Sequence, residues 1–291
     1  MTVISRRELL AGALIAGSAL LDAPAIAAEH DGAFQRGIAN LERRHGGRLG
    51  VAVLDTARTK PIAHRGNERF ALCSTHKFLT AVLILSRVDR KQESLARRIV
   101  YARKDVISKS PLIENHIGDG LTVGELCATA MTLSDNTAAN LLLDSFGGPA
   151  RLTAYLRTLG DPVTRLDRYE PELNEATPGD PRDTTTPVAM LNLLRKTVLG
   201  TTLSVSSRRQ LIAWLVANKT GDKRLRAGIP KGWRVGDKTG TGDNNATNDI
   251  AVIWPPRRAP ILVTAYYAEA HASDDERNAV LSEIGQLAAG I

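Results

Sequence analysis

The sequence predicts an α+β protein of two lobes, an antiparallel sheet assembled from both ends of the chain and a helical insert between them. Three observations predict it. Strand-like runs occur once near the N-terminus and three times near the C-terminus. From about Phe70 to Val216 the periodicity is mostly helical. The late strand runs are joined by short turns, and neighbours joined that way pair antiparallel, because a parallel partner needs a long crossover.

Taken in order, the first 27 residues read as an export signal rather than as part of the fold. Arg6 and Arg7 precede an apolar run from Leu9 to Leu21, and a small-residue exit, Ala25-Ile26-Ala27, follows. The apolar part is too short to span a bilayer comfortably. The paired arginines resemble a twin-arginine signal, which implies export in the folded state. Residues 28–291 then form the single mature domain, with an α/β lobe from about 28–69 and 217–291 and a helical lobe from about 70–216. "FQRGIANLERRHGG" is a helix with a glycine stop, and "RLGVAVLDT" is a strand. The helical middle is broken by one long irregular stretch, "LDRYEPELNEATPGDPRDTTTP". "WRVGDKTGTG", "TNDIAVIWPP" and "PILVTAYYAEA" are strands, and Ser273 with Glu276 three residues on opens the final helix as a capping box.

Composition narrows the function. With 43% hydrophobic and 24% charged residues the 291-residue chain is an ordinary globular protein. Its net charge of +7 is scattered, with no basic run threaded by aromatics. That argues against a nucleic-acid surface and suits the attraction of small anions. The six histidines show no ligand spacing, so neither metal nor cofactor is expected. The two cysteines, Cys73 and Cys127, carry no pattern that pairs them.

Three short segments carry candidate chemistry. In "CSTHKFLTAVLIL", Ser74 and Lys77 lie three apart at a helix start, on one face. A serine is a poor nucleophile until a neighbour takes its proton, and Lys77 is within reach. Ser134-Asp135-Asn136 supplies a hydroxyl and an amide between two helical segments; taken alone it reads as a helix N-cap. Lys238-Thr239-Gly240 lies in a strand, where the glycine would let a substrate lie close to the backbone. A second K-T-G, Lys219-Thr220-Gly221, follows a helix, and its glycine reads as a helix stop.

S-x-x-K, S-D-N and K-T-G in this order resemble the penicillin-interacting serine hydrolases. Glu170-Pro171-Glu172-Leu173-Asn174 is similar to the Ω-loop segment of class A β-lactamases, and the likeness extends over essentially the whole mature chain. The resemblance implies a five-stranded antiparallel sheet flanked by helices plus an all-helical lobe. It implies hydrolysis of penicillin- and cephalosporin-type antibiotics through an acyl-enzyme, by a periplasmic or cell-envelope monomer with a small-molecule substrate and no nucleic-acid or membrane partner. Catalytic roles fall on Ser74, Lys77, Ser134 and Glu170, with either Lys77 or Glu170 as the acylation base. Substrate binding falls on Asn136, Asn174, Lys238, Thr239, Gly240, Thr241 and Arg224. The oxyanion hole falls on the backbone N–H groups of Ser74 and Thr241. Arg168 and Asp183 are implied as a salt bridge across the loop base.

The chain also departs from the family pattern. Lys109 stands where an aromatic often lines the cleft, Thr247 where some relatives carry an arginine, and Gly242 where a cysteine in one group pairs with the residue before the nucleophile. His76 is expected to pack rather than react. The rival readings are a D,D-peptidase, a β-lactam sensor and an amidase such as a glutaminase. The peptidase has no need of Glu170 and Asn174, the amidase leaves the Ω-loop match unexplained, and the sensor is usually tethered by a transmembrane helix, which is not seen after the signal.

Overall fold

The computed structural model describes residues 23–291, with side chains from residue 31 onward. The export signal expected over 1–27 falls, as far as residue 22, outside the described residues. Helix α1 (Ala23–His45) ends as Gly46 and Gly47 turn the chain into β1 (Arg48–Asp55). A short β2 (Ile62–His64) folds back onto β1. Strands β3 (Phe70–Ala71), β4 (Arg98–Ile99), β5 (Leu121–Thr122) and β6 (Thr184–Thr185) are two-residue pieces that pair as β3–β6 and β4–β5. Between them run the helices α2 (His76–Asp89), α3 (Val123–Thr132), α4 (Asn136–Asp144) and α5 (Pro149–Thr158). They are followed by α6 (Pro187–Val198) and α7 (Val205–Val216). Strands β7 (Arg234–Thr241), β8 (Thr247–Trp254) and β9 (Ile261–Ala268) precede α8 (Asp274–Ala289).

The main sheet has the order β2-β1-β9-β8-β7, antiparallel throughout. Its fifth strand, β2, is three residues long, too short for a readable alternation. Both faces are covered, so β1, β8 and β9 read as nearly continuous apolar runs. Period-two geometry divides them: Ala52, Leu54, Ile250, Val252 and Leu262 face the helical lobe, whereas Val51, Val53, Ala251, Ile253 and Val263 pack with Ile38 of α1 and Ile284 of α8. Side-chain caps fix several of the helix starts. Thr122 with Glu125 and Ser273 with Glu276 form capping boxes, and Thr186 caps α6 ahead of Pro187.

One consequence of this order positions the site. β7 is an edge strand, so one side of its backbone has no strand partner. That side is closed by the turn that carries Ser74: a Cβ on Gly240 would sit 3.0 Å from the Leu72 carbonyl and 3.2 Å from the Cys73 Cβ.

Candidate active site

Ser74 lies in a 3₁₀ turn, Cys73–Thr75, that runs straight into α2. Cys73 enters it at φ 45°, a left-handed conformation that costs a side-chain-bearing residue energy and aims the next residue out of the helix line. One turn on, Lys77 Nζ lies 2.8 Å from Ser74 Oγ, as the three-residue spacing requires. The ammonium also reaches the Ser134 carbonyl and Asn136 Oδ1, both at 2.7 Å. Burial pushes the Lys77 pKa down, against the opposing charge of Glu170.

Ser134 does not cap the helix that follows. Asp135 does, with Oδ1 accepting from the Ala138 N–H at 2.9 Å. Ser134 instead adopts φ 60°, and its hydroxyl meets Lys238 Nζ at 3.0 Å and Lys77 Nζ at 3.4 Å. Asn136 sits in the first turn of α4. Its Nδ2 donates to the Ser108 carbonyl, and its backbone N–H donates to the Lys109 carbonyl, so the segment carrying Lys109 is tied to the cleft.

Glu170 is 2% exposed and comes from the long irregular stretch between α5 and β6. Its Oε1 lies 2.9 Å from Lys77 Nζ and 3.4 Å from Ser74 Oγ, while its Oε2 accepts from Asn174 Nδ2. Burial alone would raise its pKa. The neighbouring Lys77 charge and the contacts from His76 and Lys77 outweigh that and hold the carboxyl well below the usual range. The loop is braced at its base, where Arg168 Nε meets Asp183 Oδ2 at 2.6 Å. The other Asp183 oxygen accepts the backbone N–H groups of Asp167 and Arg168 at 2.7 and 2.9 Å.

Lys238, on β7, is fully buried between the Ser134 hydroxyl and the Thr239 carbonyl. Burial, and then the nearby Lys77 charge, lower its pKa to about 7. Thr239, Gly240 and Thr241 follow along the strand, and Arg224 lies against its end. One Arg224 nitrogen donates to the Gly240 and Asn248 carbonyls, both at 2.8 Å, and another reaches Thr241 Oγ1 at 2.7 Å. Ser74, Ser134, Asn136, Asn174, Arg224 and the 239–241 strand line one cleft of about 450 Å³, within the usual range for a small-molecule site. Lys77, Glu170 and Lys238 form the buried wall behind it.

One clamp at the site escaped the sequence reading, and several residues named there do more than expected. Asn140 clamps the Glu170 backbone from both sides, its Nδ2 donating to the carbonyl at 2.8 Å and its Oδ1 accepting the N–H at 3.0 Å. Its place one helical turn after Asn136, on the same face, was the available signal. Thr220, in the K-T-G copy set aside from sequence, lines the cleft and shares a 2.5 Å hydrogen bond with Thr239. Gly221 is not the stop of α7, which ends at Val216; it lies against Asp237. His76 packs as expected, fully buried, but its Nε2 also lies 3.2 Å from Glu170 Oε1. Thr247 accepts from Arg277 Nε at 2.9 Å, so a guanidinium from α8 reaches the strand position that lacks its own arginine. Cys73 and Cys127 are buried and unpaired, and Gly242 does lie against the Cys73 sulfur.

A serine hydroxyl bonded to a buried lysine, beside a buried carboxylate and a second serine–lysine pair, can attack a carbonyl, protonate a leaving nitrogen and activate a water. That combination defines a serine hydrolase working by acyl transfer. Residues 33–290 match the model of the β-lactamase enzyme family. The chain is 45% identical over 255 residues to β-lactamase OXY-1 of Klebsiella oxytoca, covering 88% of each. It is 44% identical over 265 residues to β-lactamase CTX-M-8 of Citrobacter amalonaticus, covering 91% of this chain and 90% of that one. Among solved structures, an ancestral class A β-lactamase matches with a TM-score of 0.87 and 64% identity, over 87% of this chain and 98% of its own. The chain belongs to the β-lactamase enzyme family, class A.

Proposed function

We propose that the protein opens the β-lactam ring of penicillin- and cephalosporin-type antibiotics through an acyl-enzyme on Ser74, and so gives antibiotic resistance. The observation that carries this is the placement of Glu170, whose Oε1 is within 3.4 Å of the nucleophile and 2.9 Å of Lys77. Ser74 Oγ attacks the lactam carbonyl, and its proton passes into the Lys77–Glu170 pair. The oxyanion forms against the backbone N–H groups of Ser74 and Thr241. The C–N bond breaks as Ser134 gives its proton to the leaving nitrogen, with Lys238 beside it. Glu170, oriented by Asn174, then removes a proton from the water that cleaves the ester, and Ser74 recovers its hydrogen.

Asn136 and the edge of β7, at Thr239 and Gly240, hold the substrate's amide and ring. Lys238, Thr239, Thr241 and Arg224 receive its carboxylate. Arg224→Ala should raise the KM for benzylpenicillin at least several-fold; unchanged turnover and affinity would end that assignment. The Arg6–Arg7 signal would deliver the folded domain, residues 28–291, to the periplasm, where it acts as a monomer.

Intact-mass spectrometry after mixing with benzylpenicillin tests the whole scheme. The expected result is a short-lived adduct with accumulating penicilloate for the native protein, and a persistent adduct for Glu170→Ala. A native adduct lasting hours would identify a sensor or peptidase instead.

A further inference from the structure

We propose that His76 is a positioning residue for the hydrolytic half of the reaction, its neutral imidazole donating from Nε2 to Glu170 Oε1 and holding that carboxylate toward the deacylating water. The proposal rests on Glu170 being the residue that activates that water.

The geometry assigns the tautomer. An ionised carboxylate only accepts, so the hydrogen between His76 and Glu170 must be carried by Nε2. The other ring nitrogen, Nδ1, then accepts from the Thr80 hydroxyl at 3.4 Å, one helical turn along α2. The ring is thus fixed at both nitrogens by its own helix and by the loop it supports. Burial pushes the imidazole pKa down against the pull of Glu170, and the charges of Lys77 and Lys238 push it further down, so the neutral donor persists through the neutral range.

His76 differs from the other partners of Oε1 in what happens during turnover. The Ser74 hydroxyl is lost to the acyl bond. Lys77 divides its hydrogens among Ser74, the Ser134 carbonyl, Asn136 and Glu170, so its hold on the carboxylate varies with the step. Asn140 fixes the Glu170 backbone but not its carboxylate. Asn174 holds the opposite oxygen. His76 alone among these partners gives Oε1 a donor that the chemistry leaves untouched. A small misplacement of a catalytic group is costly in rate, and a hydrogen bond to a charged group is stronger than one between neutral groups.

The test compares His76→Phe, which fills the space without a donor, with His76→Gln, whose amide nitrogen can reach the place of Nε2. Benzylpenicillin turnover is followed against pH, with acyl-enzyme measured by intact mass and folding by thermal denaturation. His76→Phe should lower kcat about tenfold, accumulate acyl-enzyme at steady state, and move the acid limb of kcat up by about one pH unit, because the carboxylate loses a stabilising donor. His76→Gln should restore most of both. If the phenylalanine variant fails to fold, His76→Asn, whose amide stops short of Glu170, replaces it with the same expected losses. A native pH profile and turnover in His76→Phe, or equal losses in the phenylalanine and glutamine variants, would overturn the proposal. Glu170→Gln, run beside them, separates the two ideas: if it accumulates no acyl-enzyme, the Glu170 role itself falls. If it does and His76→Phe behaves as native, only the role of His76 falls.

Discussion

The tripeptides Lys219-Thr220-Gly221 and Lys238-Thr239-Gly240 contain the same residues and touch each other through their threonine hydroxyls, 2.5 Å apart. Their chemistry differs at both ends. Lys238 points from an edge strand into the space between two lobes, where burial and a second lysine bring its pKa to about 7. Lys219 follows α7 and is exposed; only its backbone is used, donating to the Thr132 carbonyl at 2.9 Å. The glycines reverse the ranking. A Cβ on Gly221 would lie 1.9 Å from an oxygen of the buried Asp237, whereas one on Gly240 would meet the Leu72 carbonyl at 3.0 Å. The comparison teaches that a lysine's chemistry follows from the water it has lost, and a glycine's necessity from the closest atom beside it.

Replacing each lysine sharpens the contrast most. Lys238→Ala should lower kcat/KM for benzylpenicillin by about 10²–10³-fold, a loss typical of removing a positioned charge from an active site. Lys219→Ala should change it less than about twofold. The same difference has a pH signature. Because its pKa is lowered, Lys238 loses its positive charge as pH rises through about 7, so kcat/KM for an anionic substrate should fall on that side. Lys238→Arg should shift that limb upward, since a guanidinium stays charged. An alkaline limb unmoved in the arginine variant would assign it to another group.

The glycines come next. Gly221→Ala should destabilise by about 1–3 kcal/mol, the usual range for overpacking, because the methyl group must displace a carboxylate. That carboxylate is held at 3.0 Å by Arg226 Nε and at 2.5 Å by Asn218 Nδ2. Gly240→Ala should cost less stability and more turnover, since the methyl group only narrows the gap between β7 and the turn that carries Ser74. Thermal denaturation read beside steady-state kinetics checks both; equal stability losses would dissolve the distinction. The smallest effect is expected from Thr220→Val. It removes the shared hydroxyl contact and should raise the KM for benzylpenicillin about two- to threefold with kcat nearly intact.

Much of this was readable before the structure. The strand runs at "GVAVL", "DIAVIW" and "ILVTAYY" are mostly apolar because helices cover both faces of the sheet, and their short turns imply antiparallel pairing. The capping box at Ser273 appears where its spacing placed it. Ser74 and Lys77 were joined by the pitch of a helix, a purely local rule. Ser134 was harder: in S-D-N two adjacent side chains can cap a helix, and Asp135 took that role, leaving Ser134 at positive φ with its hydroxyl toward the cleft. The short β2, the clamp from Asn140 and the contact from His76 left weaker marks or none.

The sequence by itself determined the alternation of elements, the local spacings within helices and strands, and the order of motifs that aligns this chain with its family. Local backbone geometry repeats every two or 3.6 residues, so those features are written in neighbouring letters. Only the tertiary structure decided which groups lost their water together. Ser74 and Glu170 are 96 residues apart and Ser134 and Lys238 are 104 apart, yet the first pair meets through the long loop between α5 and β6 and the second through β7, at the boundary of the two lobes. There burial disfavours every charge that is not paired: it sets Lys77 and His76 against Glu170 and lowers the pKa of Lys238, which stands near the Lys77 charge.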